Sequence, residues 1–284
     1  MKLRLEMKRK LSVILLAFLL LLSVACSKKE EPLPPEEEGG PEEVVPEVPA
    51  EEEVIETPPY EETLNYVEMS SHYDEMKSQF KDYVGEIFFE SGLIDLPFVQ
   101  GASNDTYLRT DFMTGKYDSS GSIFMDYRNY LNDENVIIYG HYVYLTKDPS
   151  GTRMFTPLRF LTEEENYEEN KYFYLAVNGE LRKYEIAVVY ICQLYDVDGY
   201  WATTYQNQYY IPNYDKDYFE EYKAAIYQQA CYQTGVDITH RDKLVTLQTC
   251  IEDHEDQREI VVAKLVRTMD LYTGEEIWSP ETQE

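Results

Sequence analysis

An apolar run, Lys243-Leu244-Val245-Thr246-Leu247-Gln248-Thr249, ends at Cys250. A polar stretch from Glu252 to Gln257 follows, and Arg258 then opens a second apolar run, Ile260 to Val266. Two paired strands joined by this stretch would bring Cys250 and Arg258 to the same rim of a barrel. A cysteine beside a cation is placed for reaction, because nearby positive charge favours the thiolate. Such a nucleophile needs a partner that can protonate a departing amine, and imidazole does this near neutral pH. His141 follows the apolar run Val136 to Tyr139 and a glycine, Gly140. His240 stands beside Arg241 and Asp242 and reads as part of a turn, and His254 lies among Glu252, Asp253, Glu255 and Asp256, as in a solvated loop. Spacing favours His141 and leaves the other two open. A lone cysteine and a lone histidine are more often a small buried thiol and a satisfied surface imidazole, so spacing by itself does not establish a catalyst.

The elements that must position these groups are short. Pro97 to Gln100, Ser122 to Met125, Val136 to Tyr139, Tyr172 to Val177, Tyr184 to Cys192, Lys243 to Thr249 and Glu259 to Arg267 are apolar runs separated by turn residues. That pattern predicts a mainly β protein, a closed antiparallel or mixed barrel. Between the late strands, Asp215 to Cys231 has helical spacing at Tyr218, Tyr222, Ala225, Ile226 and Gln229. Upstream, Leu64, Tyr66, Val67, Met69, Tyr73, Met76, Phe80, Tyr83 and Val84 predict one or two amphipathic helices ending near Gly85 or Gly92.

The chain of 284 residues carries a net charge of -29, which argues against a nucleic-acid partner, since phosphate binding needs clustered Lys and Arg. Cys26, Cys192, Cys231 and Cys250 form no CxxC pair and no zinc spacing, and a bridge between Cys192 and Cys231 stays open. The sequence has no metal motif and no phosphate-cradling glycine loop, so neither metal nor cofactor is expected. Residues 1–26 read as an address: a basic start at Lys2, Arg4, Lys8, Arg9 and Lys10, then an apolar run from Leu11 to Ala25. Ser23-Val24-Ala25-Cys26 looks like a bacterial lipobox, in which Cys26 would be lipid-modified; the alternative is an uncleaved membrane anchor. Residues 27–62 are rich in Glu and Pro and read as an extended acidic stalk. Residues 63–284 would then be a folded domain held outside the cell membrane.

Across that domain the chain resembles the sortase family, and class B within it, the cysteine transpeptidases of Gram-positive bacteria. Thr246-Leu247-Gln248-Thr249-Cys250 matches the family's TLxTC motif, Arg258 falls where its strand-opening arginine belongs, and Ile138-Tyr139-Gly140-His141 looks like its histidine motif. Val99-Gln100-Gly101 through Asn104-Asp105 and Tyr107-Leu108, then Gly121 through Asn129, are similar to the segment upstream of that histidine. The resemblance implies an eight-stranded sortase-type β-barrel with N-terminal helices and an inserted helix. It also implies Cys250 as nucleophile, His141 as acid and base, and Arg258 as the charge on the reacting carbonyl. Thr246, Leu247 and Thr249 would shape the substrate groove. The implied reaction cleaves a C-terminal sorting motif of secreted proteins and passes the acyl group to an amine of a cell-wall precursor or of a pilin. Two other readings stand beside it: a cysteine peptidase that only hydrolyses, and a non-enzymatic surface lipoprotein that binds a ligand.

Overall fold

The computed structural model describes residues 59–280, except 198–199, 204–212, 214 and 252–253. The expected leader, Cys26 and most of the expected stalk lie outside the described residues. The fold begins with a 3-10 turn, Tyr60–Thr63. The stalk's expected end at residue 62 therefore falls inside structured chain. Glu61 is buried, and its carboxylate sits 2.8 Å from Lys183 Nζ, which also meets Glu90 at 2.9 Å. A buried charge needs such partners, and here they tie the start of the domain to the barrel.

Helix α1 spans Tyr66–Gln79, with Asn65 as N-cap accepting from the Glu68 amide. It stops there. Residues 83–89, expected to continue the helical segment, form strand β1 (Tyr83–Phe89). Its inner residues Val84, Ile87 and Phe89 enter the barrel core, while Tyr83 and Phe88 pack on the other side with Tyr73 and Met76 of α1. Burial on both faces removes the polar positions that would have marked a strand.

The remaining strands are β2 (Asp95–Val99), β3 (Ile123–Met125), β4 (Asn135–Tyr139), β5 (Tyr172–Val177), β6 (Glu180–Val197), β7 (Tyr200–Thr203), β8 (Leu244–Ile251), β9 (His254–Asp270) and β10 (Glu276–Trp278). A one-turn helix, α2 (Tyr167–Asn170), precedes β5, and α3 (Lys216–Gln228) stands between β7 and β8. The sheet order β9-β8-β4-β3-β2-β1-β5-β6 closes through pairing of β9 with β6, so eight strands form a barrel, with β7 and β10 as additions at its margins. Most pairs are antiparallel; β2 with β3 and β4 with β8 are parallel.

Inside, Phe98, Ile123, Val136, Ile138, Leu175, Val189, Val245, Leu247 and Val261 fill one core. Each such side chain contributes about 1.5–3 kcal/mol on burial. Outside, Phe219, Tyr222 and Ile226 of α3 cover Tyr190, Ile260 and Val262 of β6 and β9. The inserted helix thus shields the outer face of β6 and β9. His254, expected in a solvated loop, opens strand β9 opposite Ile251. Strand β9 therefore takes in residues 254–257 of the expected loop, and its pairing with β6 runs as far as Gln257.

Candidate active site

Alternation along β8 decides which groups reach the site. Val245 and Leu247 point into the core, so Thr246, Gln248 and Cys250 belong to the other face. Register then sets the level. In the parallel pair β4–β8, Tyr139 is opposite Gln248, and the Gly140 amide donates to the Gln248 carbonyl at 3.1 Å. His141 and Cys250 each lie two residues further on. In the antiparallel pair β8–β9, Cys250 is directly opposite Arg258. Three neighbouring strands therefore bring His141, Cys250 and Arg258 to one level at one rim of the barrel.

The three residues line two adjoining cavities. One, of about 340 Å³, is walled by Asn104, Asp105, Leu108, Phe124, Arg128, Tyr139, Gln248 and Thr249. The other, of about 320 Å³, is walled by Arg109, Ser119, Ser120, Tyr142, Val143, Tyr144, Lys147 and Ile251. His240 lines neither cavity.

His141 Nε2 lies 2.7 Å from the Leu108 carbonyl oxygen. A carbonyl only accepts, so Nε2 carries the proton and Nδ1 bears the lone pair of the neutral ring. Burial, with Arg109 and Arg258 nearby, holds the imidazole below its ordinary value, although the Leu108 carbonyl works the other way. The ring is thus neutral at pH 7 and ready to accept a proton at Nδ1. The Leu108 loop is itself fixed closely. Gly121 has φ +57°, and a Cβ there would stand 2.5 Å from the Leu108 oxygen, so only glycine lets the chain pass beneath the carbonyl that holds the histidine.

Among the described residues the thiols differ sharply. Cys192 is also opposite Arg258, across β6–β9, but it is buried under α3. Burial pushes its thiol up to about 11, against the pull of Arg258. Cys231 is exposed as a residue, yet partial desolvation of its sulfur, with Glu259 and Glu163 nearby, raises its thiol as well. Neither is joined to the other, so the bridge left open by the sequence is not formed. Cys250 is half-buried and is the thiol on the walls of both cavities.

The three residues expected to shape the groove separate. Thr249 lines the 340 Å³ cavity. Leu247 is fully buried in the barrel core, and Thr246 is fully buried with its hydroxyl donating to Asn135 Oδ1 at 2.9 Å, a strut between β8 and β4. Neither touches a cavity, because strand alternation and packing turn them elsewhere. The groove wall comes instead from Asn104, Leu108, Arg128 and Tyr139. The motif segments containing them are visible in the sequence, but the folding that brings them to Cys250 is not.

The sortase domain family model matches residues 90–266. Sortase B of Staphylococcus aureus is 29% identical over 210 residues, covering 70% of this chain and 79% of that protein. Sortase B of Listeria monocytogenes is 32% identical over 190 residues, covering 66% of this chain and 70% of that protein. Among solved structures, a mutant form of Clostridium perfringens sortase B superposes with a TM-score of 0.60 at 28% identity, covering 71% of this chain and 89% of that one. The family model spans more than half of the chain and the structural likeness covers the barrel, so the chain belongs to the sortase family, within it to class B.

Proposed function

We propose that this cysteine transpeptidase uses Cys250 as nucleophile, His141 as general base and acid, and Arg258 to stabilise the charge on the reacting carbonyl oxygen. The observation that carries the assignment is their common level on β4, β8 and β9, at the meeting of two cavities. The donor is a sorting motif of a secreted protein, seated in the 340 Å³ cavity. As Cys250 Sγ attacks the scissile carbonyl, the thiol proton passes to His141 Nδ1. Negative charge gathers on the carbonyl oxygen, where the Arg258 guanidinium stabilises it. When the C–N bond breaks, the imidazolium gives the proton to the departing amine, and a thioester on Cys250 remains. A second amine, approaching through the 320 Å³ cavity, attacks that thioester. It loses its proton to His141, which returns it to the sulfur as the new amide forms.

The transpeptidase and a plain peptidase share the first half of this cycle and differ in the group that resolves the thioester. With a sorting peptide and a rising concentration of an amine acceptor, the product is expected to shift from free acid to amide. A product that stays acid at every acceptor concentration means that water is the resolving group and rejects the transpeptidase assignment.

The basic and apolar start of the chain, with Cys26 after it, supports a domain tethered to the outer face of the cell membrane. The full chain should sediment with membranes, and a chain beginning at Pro59 should not; a full chain that stays in the soluble fraction rejects the tether.

A further inference from the structure

The segment from Gly121 to Asn129 resembles a family motif, yet none of its residues takes part in the proton and acyl transfers above. Its centre is Asp126, which is fully buried just past the end of β3. One carboxylate oxygen accepts from Arg128 Nε at 2.9 Å and from the Arg128 amide at 2.9 Å. The other accepts from Arg128 Nη2 at 2.8 Å, Asn104 Nδ2 at 2.9 Å and the Tyr139 hydroxyl at 2.9 Å. All three partner side chains line the cavity that holds His141 and Cys250. Burial pushes the Asp126 carboxyl up, but these donors outweigh it and hold the group below the usual carboxylate range. It is a permanent anion, and a buried one with this many donors fixes their directions.

We infer that Asp126 is a positioning residue for the donor peptide: from beneath the cavity it sets the places of Asn104, Arg128 and Tyr139, the wall against which the sorting motif lies. The inference rests on the transpeptidase assignment and goes beyond it by naming what holds the donor wall. Each spoke has a separate consequence. Tyr139 is the last residue of β4, two before His141. Asn104 accepts from the Tyr127 amide at 3.0 Å while donating to Asp126, so it locks the loop that runs on to Leu108. Arg128, paired at both Nε and Nη2, presents a guanidinium whose charge is balanced from within. The carboxylate itself is covered by its donors and touches no substrate.

Asp126→Asn keeps the shape, removes the charge and puts N–H where one oxygen accepted. The expected result is a rise in KM for a sorting peptide of about tenfold or more, since small displacements of a binding wall are costly. In the same protein kcat and the rate of Cys250 alkylation by iodoacetamide stay near wild type, because the small reagent does not use the wall. A merely structural role would instead lower alkylation and acylation together, in step with the folded fraction seen by circular dichroism. That pattern, or an unchanged KM, overturns the inference. A double-mutant cycle guards against a poorly folding variant and tests the route of action. Asn104→Ala with Tyr139→Phe cuts two spokes while leaving the carboxylate and Arg128 paired. This pair of changes should reproduce much of the KM rise, and adding Asp126→Asn to it should cost clearly less than adding Asp126→Asn to wild type. Full additivity, or no KM effect from the two cuts, overturns it. A wild-type protein that forms no adduct on Cys250 would reject the transpeptidase assignment instead, which is a different outcome from active enzyme indifferent to Asp126.

Discussion

Cys250→Ala should abolish the acyl-enzyme and lower turnover of a sorting peptide by about 10⁴-fold or more, the scale on which covalent catalysts fail without their nucleophile. The expectation follows from position. Cys250 borders both cavities, whereas Cys192 lies under α3 with its thiol near 11, where almost no thiolate exists at pH 7. Cys231→Ser serves as the control and should keep its activity. His141→Ala should cost about 10²–10⁴-fold, the usual scale of general acid and base catalysis. Its neutral, Nε2-protonated ring offers Nδ1 as the only basic atom. Arg258→Met should cost about 10²–10³-fold, on the scale of losing one oxyanion donor. Mass spectrometry of the intact protein, quenched with peptide and digested, locates the adduct. An acyl group on Cys231, or an adduct that survives in Cys250→Ala, would sink the assignment.

Much of this site is legible in the sequence, and the reason is local. A strand ending in a cysteine, with an arginine eight residues on, is a hairpin written in one continuous stretch. Antiparallel pairing converts that spacing into the direct opposition of Cys250 and Arg258. His141 after an apolar strand and Gly140 is equally local. The parallel register that brings it level with Cys250 joins segments more than a hundred residues apart, and no spacing rule reports it. The same holds for the donor wall, where Asn104 reaches Asp126 and His141 reaches the Leu108 carbonyl across long sequence separations. Thr246 and Leu247 show the opposite failure. They share a motif with Cys250, yet alternation and packing send them to a strut and to the core. Strand β1 was hidden because Tyr73, Met76, Phe80, Tyr83 and Val84 continue a helical spacing without interruption, while its two-sided burial erases the period of two. Strands β6 and β9 are long, and the irregularities at Lys183/Tyr184 and Ile186/Val188 break their alternation, so no single period runs through them.

Glu259 is the residue whose environment its sequence context most thoroughly conceals, and it sets the second large expectation. The sequence places it at the start of the strand Glu259 to Arg267, and nothing in that run says which way its carboxyl points. In the barrel it is opposite Thr249 and faces inward, only 2% exposed. Neither its Oε1 nor the Thr249 hydroxyl has a hydrogen-bond partner among the described residues. Burial raises its carboxyl from 4.5 to about 8, with Arg159 pulling weakly the other way. A carboxyl raised in the folded state binds a proton that the unfolded chain has already released. Between pH 4.5 and 8 the folded form therefore holds the extra proton, and stability falls as pH rises through that window. The loss across the whole window is on the order of 5 kcal/mol, from about 1.4 kcal/mol for each pH unit. His141 acts with the opposite sign and in a lower window. Its folded value is depressed, so its contribution is lost as pH falls below about 6.5, the ordinary imidazole value. Glu259→Gln removes the titration and keeps the shape. Urea unfolding at pH 5, 6.5 and 8 should show wild type losing stability toward pH 8 and the variant holding nearly level, with the variant the more stable of the two at pH 8. Curves that fall in parallel would mean that Glu259 is ionised in the folded barrel, with a partner the buried carboxyl was not thought to have. Because Thr249 and Glu259 are the inward neighbours of Cys250 and Arg258, ionisation of this carboxyl also puts a negative charge directly behind the rim that carries Cys250. The alkaline loss of stability should therefore be accompanied by loss of peptide acylation in wild type and not in Glu259→Gln.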